Sequence, residues 1–187
     1  WKGVLVDSDD VENVKKAITP KTKAVFCESL ANPGGVISDI EALAKVAHDN
    51  GLPLIVDNTM ATPYLCRPIE WGADLVIHST TKFLSGHGNA MGGAVVDSGT
   101  FDWSQGDRFP SLCKPEPAYH GLTFTETFGD LAYTIYGHAV GLRDLGPTMA
   151  PMNAYLTIMG CETLALRMRS EEHTSELQSR LHLVCRL

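Results

Sequence analysis

Lys82 sits in "IHSTTKFLSGHG", residues 77–88, behind an apolar run and among hydroxyls, glycines and a histidine. A lysine amine is a useful nucleophile toward a carbonyl when burial or nearby polar and cationic groups lower its pKa. The segment therefore reads as an ammonium held at the end of a buried strand for that purpose. Ser79 and Thr81 add hydroxyl donors of the kind that hold a phosphate, and Gly86 and Gly88 let backbone approach a ligand closely. Upstream, Asp57 ends a second apolar run, "PLIVDNT", and Asn32 follows a third, "KAVFCES". Each has an ordinary explanation on its own, since a lone lysine commonly opens a surface loop and an aspartate commonly caps a helix or pairs with a base. His78 and His87 are read as structural. With Asp57 they lack metal-ligand spacing, so no metal is expected.

Elements must bring these residues together. The 187 residues are 44% apolar, enough to bury a real core. A net charge of -7 without any basic run points away from nucleic acid and anionic membranes. Five cysteines with no CxxC pair suit a reducing cytoplasm, and no apolar stretch approaches a membrane span. Five strands are predicted, at "KGVLVD", "KAVFCES", "PLIVDNT", "GADLVIHS" and "GGAVVDSG". One helix follows the first strand, with Asp9 and Glu12 as a capping box. A second begins at Ser38, with Glu41 in the capping-box position, a stripe of Ile40, Leu43, Ala44 and Ala47, and a stop at Gly51. This alternation predicts an α/β fold with a mostly parallel sheet, whose ligands gather outside the carboxyl ends of the strands. Asn32, Asp57 and the Ser79–Lys82 run fall there. From Trp103, with prolines at 110, 115 and 117, an irregular stretch is expected to line a site. Two helical patterns follow, interrupted at Gly146, Pro147 and Pro151, and their Tyr and Met residues are read as core.

An aldehyde-bearing pyridine phosphate needs a lysine for its carbonyl, an acid to keep the ring nitrogen protonated and donors for the phosphate. All three are present. "SLANPGG", "VDNTMATP" and "HSTTKFLSGHG", in that order and spacing, resemble the signature of the Cys/Met metabolism family of pyridoxal-phosphate-dependent enzymes. "RFPSLCKPEPAYHGLTF" and "LRDLGPTMAPMNAYLTIMGCETLALRM" resemble its O-acetylhomoserine sulfhydrylase branch. The resemblance implies part of the large domain of the fold-type I, aspartate aminotransferase-like fold. It implies pyridoxal 5'-phosphate bound covalently at Lys82, with Asp57 on the pyridine nitrogen, Ser79 and Thr81 on the phosphate, Asn32 on the ring hydroxyl and Thr59 against a ring face. The implied reaction is gamma-replacement on an O-acylhomoserine, with O-acetylhomoserine and sulfide giving homocysteine and acetate. In it the Lys82 amine moves protons at the alpha and beta carbons. Methionine gamma-lyase and cystathionine synthase or lyase are the alternatives inside the family, and a non-catalytic truncated product is the alternative outside it. A cytoplasmic homotetramer, built from dimers that share active sites, is the implied assembly.

The resemblance runs from Trp1 to Met168, less than half of a family subunit, so the chain is expected to start within a longer protein. Residues 1–125 are expected to be part of the cofactor-binding large domain and 126–168 a helical segment leading toward a C-terminal domain. The arginine that grips the substrate carboxylate is expected outside this chain, and the fragment alone is expected to be inactive. "RSEEHTSELQS", Arg169–Ser179, matches the in-frame translation of a common sequencing adapter. Residues 169–187 are therefore expected to be a non-native tail without functional residues.

Overall fold

Leu54 and Val56 alternate with Ile55 and Asp57, and a strand this apolar has to be covered on both faces. The computed structural model describes residues 2–171. Its sheet has four strands in the order β1 (Val25–Glu28), β2 (Leu54–Asp57), β3 (Leu75–Ser79) and β4 (Gly93–Asp97). The first three are parallel, and β4 runs antiparallel to β3. The expected mostly parallel sheet is thus formed. Its last strand reverses because residues 80–92 turn back tightly, without the crossover helix that a parallel return requires.

One face of the sheet is covered by α1 (Val11–Ala17) and α2 (Ile40–Asp49). Val14 of α1 and Ile40, Leu43, Ala44 and Ala47 of α2 pack with Val25, Leu54, Val56 and Val76. The stripe on α2 is the predicted one, because these positions recur on one side of a helix. Both caps fall one residue later than expected. Asp10 accepts from the Glu12 backbone N–H at 3.0 Å, and Asp39 from that of Ala42 at 3.0 Å. The reason lies in competing local bonds: Asp9 donates its N–H to Asp7 at 3.1 Å, and the Ser38 hydroxyl donates to the Glu28 carbonyl at 2.8 Å. Between β2 and β3 lie α3 (Thr62–Leu65) and a 3-10 turn, Pro68–Trp71.

The opposite face carries a second core of Leu75, Trp103, Leu112, Phe124 and Ala132, with Ile55 packed against it. Trp103 stacks on Tyr133 with ring centroids 4.9 Å apart and meets Phe101 and Phe109 edge-on. The stretch from Trp103, expected to line a site, instead sends Trp103, Phe109, Leu112 and Tyr119 into this core while most of its other residues are exposed. Its aromatic side chains gain more from burial against the sheet than from exposure around a polar ligand. The chain then forms α4 (Pro110–Cys113), α5 (Phe124–Phe128) and α6 (Ala132–Tyr136). A π-helical stretch, Gly137–Asp144, continues α6 until the chain breaks at Gly146 and Pro147, and Pro151 opens α7 (Pro151–Cys161). Helix resumes over residues 164–171.

The first expected strand is absent: residues 2–8 have no regular structure, and Val4 and Leu5 are exposed. Their apolar character finds no strand to pair with among the described residues, and an unpaired strand is not stable by itself. Of the expected tail, all beyond Glu171 lies outside the described residues. Among the described residues no helix is long and apolar enough to cross a membrane.

Leu54→Ala empties a fully buried position between β2 and its covering helices. It is expected to destabilise the protein by about 2–5 kcal/mol, read as a lower urea midpoint at unchanged m-value.

Candidate active site

Parallel strands finish along a common edge, and Glu28, Asp57 and Ser79 end β1, β2 and β3. In the ladder Asp57 lies beside Glu28 on one side and Ile77 on the other. Just beyond those ends come Asn32, Thr59 and the segment Thr80–Lys82.

Thr59 links the acid to the hydroxyl run. Its backbone N–H donates to Asp57 Oδ1 at 2.9 Å, while its own hydroxyl oxygen accepts the Ser79 N–H at 2.8 Å. Asp57 Oδ2 makes no hydrogen bond among the described residues. Asn58, fully buried, accepts from the Ser29 hydroxyl at 2.7 Å and donates to the Cys66 carbonyl at 2.8 Å. That fixes the backbone between Asp57 and Thr59. Sequence reasoning missed Asn58 and Ser29, although a polar residue immediately after a buried strand is the signal that could have found them.

Thr80–Leu84 form a turn of helical character kinked at Lys82, whose dihedrals (φ -90°, ψ -124°) are not helical. The turn is closed by the N–H groups of Ser85 and Gly86, which donate to the carbonyls of Thr80 and Lys82 at 3.0 and 2.9 Å. Thr81 Oγ1 accepts the Gly92 N–H at 3.2 Å, and the Thr80 hydroxyl is buried without a partner among the described residues. Lys82 is exposed, which corrects the expected burial, and its ammonium makes no hydrogen bond or ion pair among the described residues. Strand β3 stops at Ser79, and the buried side of the turn is taken by Thr80 and Ser85. His87 Nδ1 lies 2.7 Å from the Ser85 carbonyl.

Helix α7 packs on this turn through Gly160, where a side chain would collide with the Ser85 carbonyl. Arg167 reaches back over the contact. Its Nη1 donates to the Phe83 carbonyl at 2.6 Å and its Nη2 to the Gly160 and Leu84 carbonyls at 2.7 and 3.4 Å, while Nε donates to the Thr163 hydroxyl at 3.1 Å. Sequence reasoning missed Arg167 too, because a lone arginine in a helical run carries no local signal.

An open cleft of about 770 Å³ separates the sheet edge from the helical part. Ser79, Thr81, Gly92 and Gly93 line one side, and Met149, Ala150 and Asn153 the other. Asp57, Lys82 and Asn32 are not among its lining residues. Asn32 is exposed, precedes a cis peptide bond to Pro33, and donates its N–H to Glu28 Oε2 at 2.9 Å. Met149 fills the space a side chain at Gly92 would need, whereas Met152, Tyr155 and Met159, read from sequence as core, are exposed on α7. No group of residues that could hold a metal ion occurs among the described residues.

An accessible amine, a carboxylate with one uncommitted oxygen and a run of hydroxyls on one edge of a parallel α/β sheet are groups with the chemistry to engage a carbonyl compound. The profile of the Cys/Met metabolism PLP-dependent enzymes matches residues 2–178, and the chain belongs to that family. It is 46% identical over 178 residues to O-acetyl-L-homoserine sulfhydrylase of Leptospira meyeri, covering 91% of this chain and 40% of that protein. It is 48% identical to the homocysteine synthase of Schizosaccharomyces pombe, covering 88% of this chain and 39% of that one. A crystal structure of an O-acetylhomoserine (thiol)-lyase from Campylobacter jejuni, which carries N'-pyridoxyl-lysine-5'-monophosphate, superposes with a TM-score of 0.82 at 39% identity. That match covers 86% of this chain and 40% of the other. The fold is therefore part of the PLP-dependent fold-type I architecture, and the chain spans about 40% of the length of the curated relatives it matches.

His78 ends up 6% exposed at this edge. Burial pushes its pKa below the ordinary 6.5, only partly opposed by the Asp57 charge and a backbone hydrogen bond to Asn58. The unfolded chain takes up a proton there as pH falls through 6.5 while the folded chain resists it, so stability declines on the acid side. Thermal melts between pH 8 and pH 5 are expected to show that decline, and His78→Gln to flatten it.

Proposed function

We propose that the protein containing this chain catalyses gamma-replacement on O-acetylhomoserine, with sulfide displacing acetate to give homocysteine. The reading is carried by the shared strand edge, where the amine of Lys82, the free Oδ2 of Asp57 and the hydroxyls of Ser79 and Thr81 follow neighbouring strand ends. This donor set fits pyridoxal 5'-phosphate, since an uncommitted amine, an uncommitted carboxylate oxygen and hydroxyls beside an open cleft are what an aldehyde, a ring nitrogen and a phosphate require. When bound, the cofactor supplies an electron-withdrawing ring that stabilises negative charge on the substrate carbons. Lys82 would hold it through its amine, and that amine, when free, would carry protons at the alpha and beta carbons of the substrate. Asp57, steadied through Oδ1, holds a proton on the ring nitrogen because the opposite charge favours the ionised form. Ser79 and Thr81 donate to the phosphate, and the Asn32 side chain to the ring hydroxyl. The working assembly is a cytoplasmic homotetramer of dimers that share active sites.

A second reading, that these residues alone form an inactive product, is favoured by the exposure of Lys82 and of large apolar side chains such as Phe26, Ile37 and Leu166. Both readings are tested together. The full-length protein is expected to be yellow and to fix a pyridoxyl group on Lys82 after borohydride reduction, while residues 1–168 alone do neither. Lys82→Arg is expected to abolish the adduct and lower turnover by about 10²–10⁴-fold; undiminished turnover would sink the proposal. Product analysis decides the reaction: homocysteine and acetate support it, whereas a 2-oxo acid and ammonia from the same substrate make the enzyme a lyase.

A further inference from the structure

We infer that Arg167 is a positioning residue for the Lys82 amine, acting through the backbone of the turn that carries it; the inference rests on the role proposed for Lys82. The three peptide carbonyls from residue 82 to residue 84 are all held. That of Lys82 accepts the Gly86 N–H at 2.9 Å, and those of Phe83 and Leu84 accept from the Arg167 guanidinium at 2.6 and 3.4 Å. A planar guanidinium with five donors can span several acceptors at once, which an ammonium cannot do with the same geometry. Arg167 makes no ion pair among the described residues, so its charge is committed to carbonyl oxygens. Nε anchors the fork to Thr163 at 3.1 Å, and the Gly160 carbonyl takes a further bond at 2.7 Å.

Two glycines make room for this arrangement. A side chain at Gly86 would run into the Arg167 guanidinium, and one at Gly160 would drive α7 off the Ser85 carbonyl. Lys82 departs from helical dihedrals in the middle of the turn, and the clamp grips the residues immediately after that departure. Without the guanidinium, the Phe83 carbonyl loses its donor and that of Leu84 keeps only the Cys161 thiol at 3.8 Å, so the turn is free to relax toward regular helix, which re-aims the Lys82 side chain. The residues that precede it keep their own ties, the Ser79 backbone N–H to the Thr59 hydroxyl and the Thr81 hydroxyl to Gly92, so they stay in place.

The step affected is the attachment itself. The Lys82 nitrogen adds to the aldehyde carbon, a C=N bond replaces C=O, and the oxygen leaves as water with both amine protons. The experiment compares two ligands on the full-length apoprotein: pyridoxal 5'-phosphate, followed by its visible band and by borohydride trapping, and 4-deoxypyridoxine 5'-phosphate, which lacks the aldehyde. Arg167→Met is expected to slow covalent attachment by about 10–100-fold, while the affinity for the deoxy analogue stays that of wild type. Arg167→Lys is expected to fall between them. Equal losses for both ligands would mean a damaged pocket, and unchanged attachment an idle arginine; either overturns the inference. If Arg167→Met does not fold, Thr163→Val, which removes only the Nε anchor, is expected to give the same selective slowing to a smaller degree, and its absence counts against the inference. Failure of the underlying reading looks different, because then the wild-type apoprotein forms no adduct at Lys82.

Discussion

The hydroxyl of Thr59 holds the ends of two strands in register with chemistry. By accepting the Ser79 N–H while its own N–H engages Asp57, it makes the position of the carboxylate depend on the position of the hydroxyl run. Ladder bonds alone would align β2 and β3 but leave the residues past their ends free to splay. The buried Asn58 reinforces the arrangement from below through Ser29 and Cys66, reaching back to β1 and forward to α3. Three strand ends and one connecting segment thus behave as a single platform, with the acid and the hydroxyls on it.

What stands on the platform is less enclosed. The lysine turn projects from it and is braced by an arginine 84 residues beyond Phe83, while the cleft opens between the sheet edge and the helical part. The paired cores explain how so small a sheet supports this. Aliphatic side chains of α1 and α2 fill one face, and interlocking aromatic rings from residues 101–136 fill the other. Aromatic rings contribute large buried areas per residue, which lets a chain of short helices and turns cover a sheet face that would otherwise need long helices.

The parts of the fold legible in the sequence were those written in local pattern. The stripe on α2, the stop at Gly51, the breaks at Gly146, Pro147 and Pro151, and the strands at residues 25–28, 54–57, 75–79 and 93–97 follow from periodicity and turn chemistry. The failures came where a distant partner decides. "KGVLVD" has strand composition but no neighbour among the described residues, and the stretch from Trp103 has loop punctuation but core side chains. At the site, residue types pointed to Lys82, Asp57, Ser79, Thr81 and Asn32, but not to the exposure of Lys82. They also did not disclose the contact of Arg167, which exists only once residues 83 and 167 are brought together. Composition names the reactive groups; tertiary contact determines how firmly each is aimed.

The clamp also gives the molecule a chronology. Phe83 and Arg167 are 84 residues apart, so at roughly 5–20 residues per second the ribosome takes on the order of 4–17 s to deliver the arginine after the lysine turn has been made. During that interval the nascent sheet can assemble, since its strands all precede residue 98, yet the turn lacks its brace. The newborn polypeptide therefore acquires its scaffold before the Phe83 and Leu84 carbonyls acquire the guanidinium.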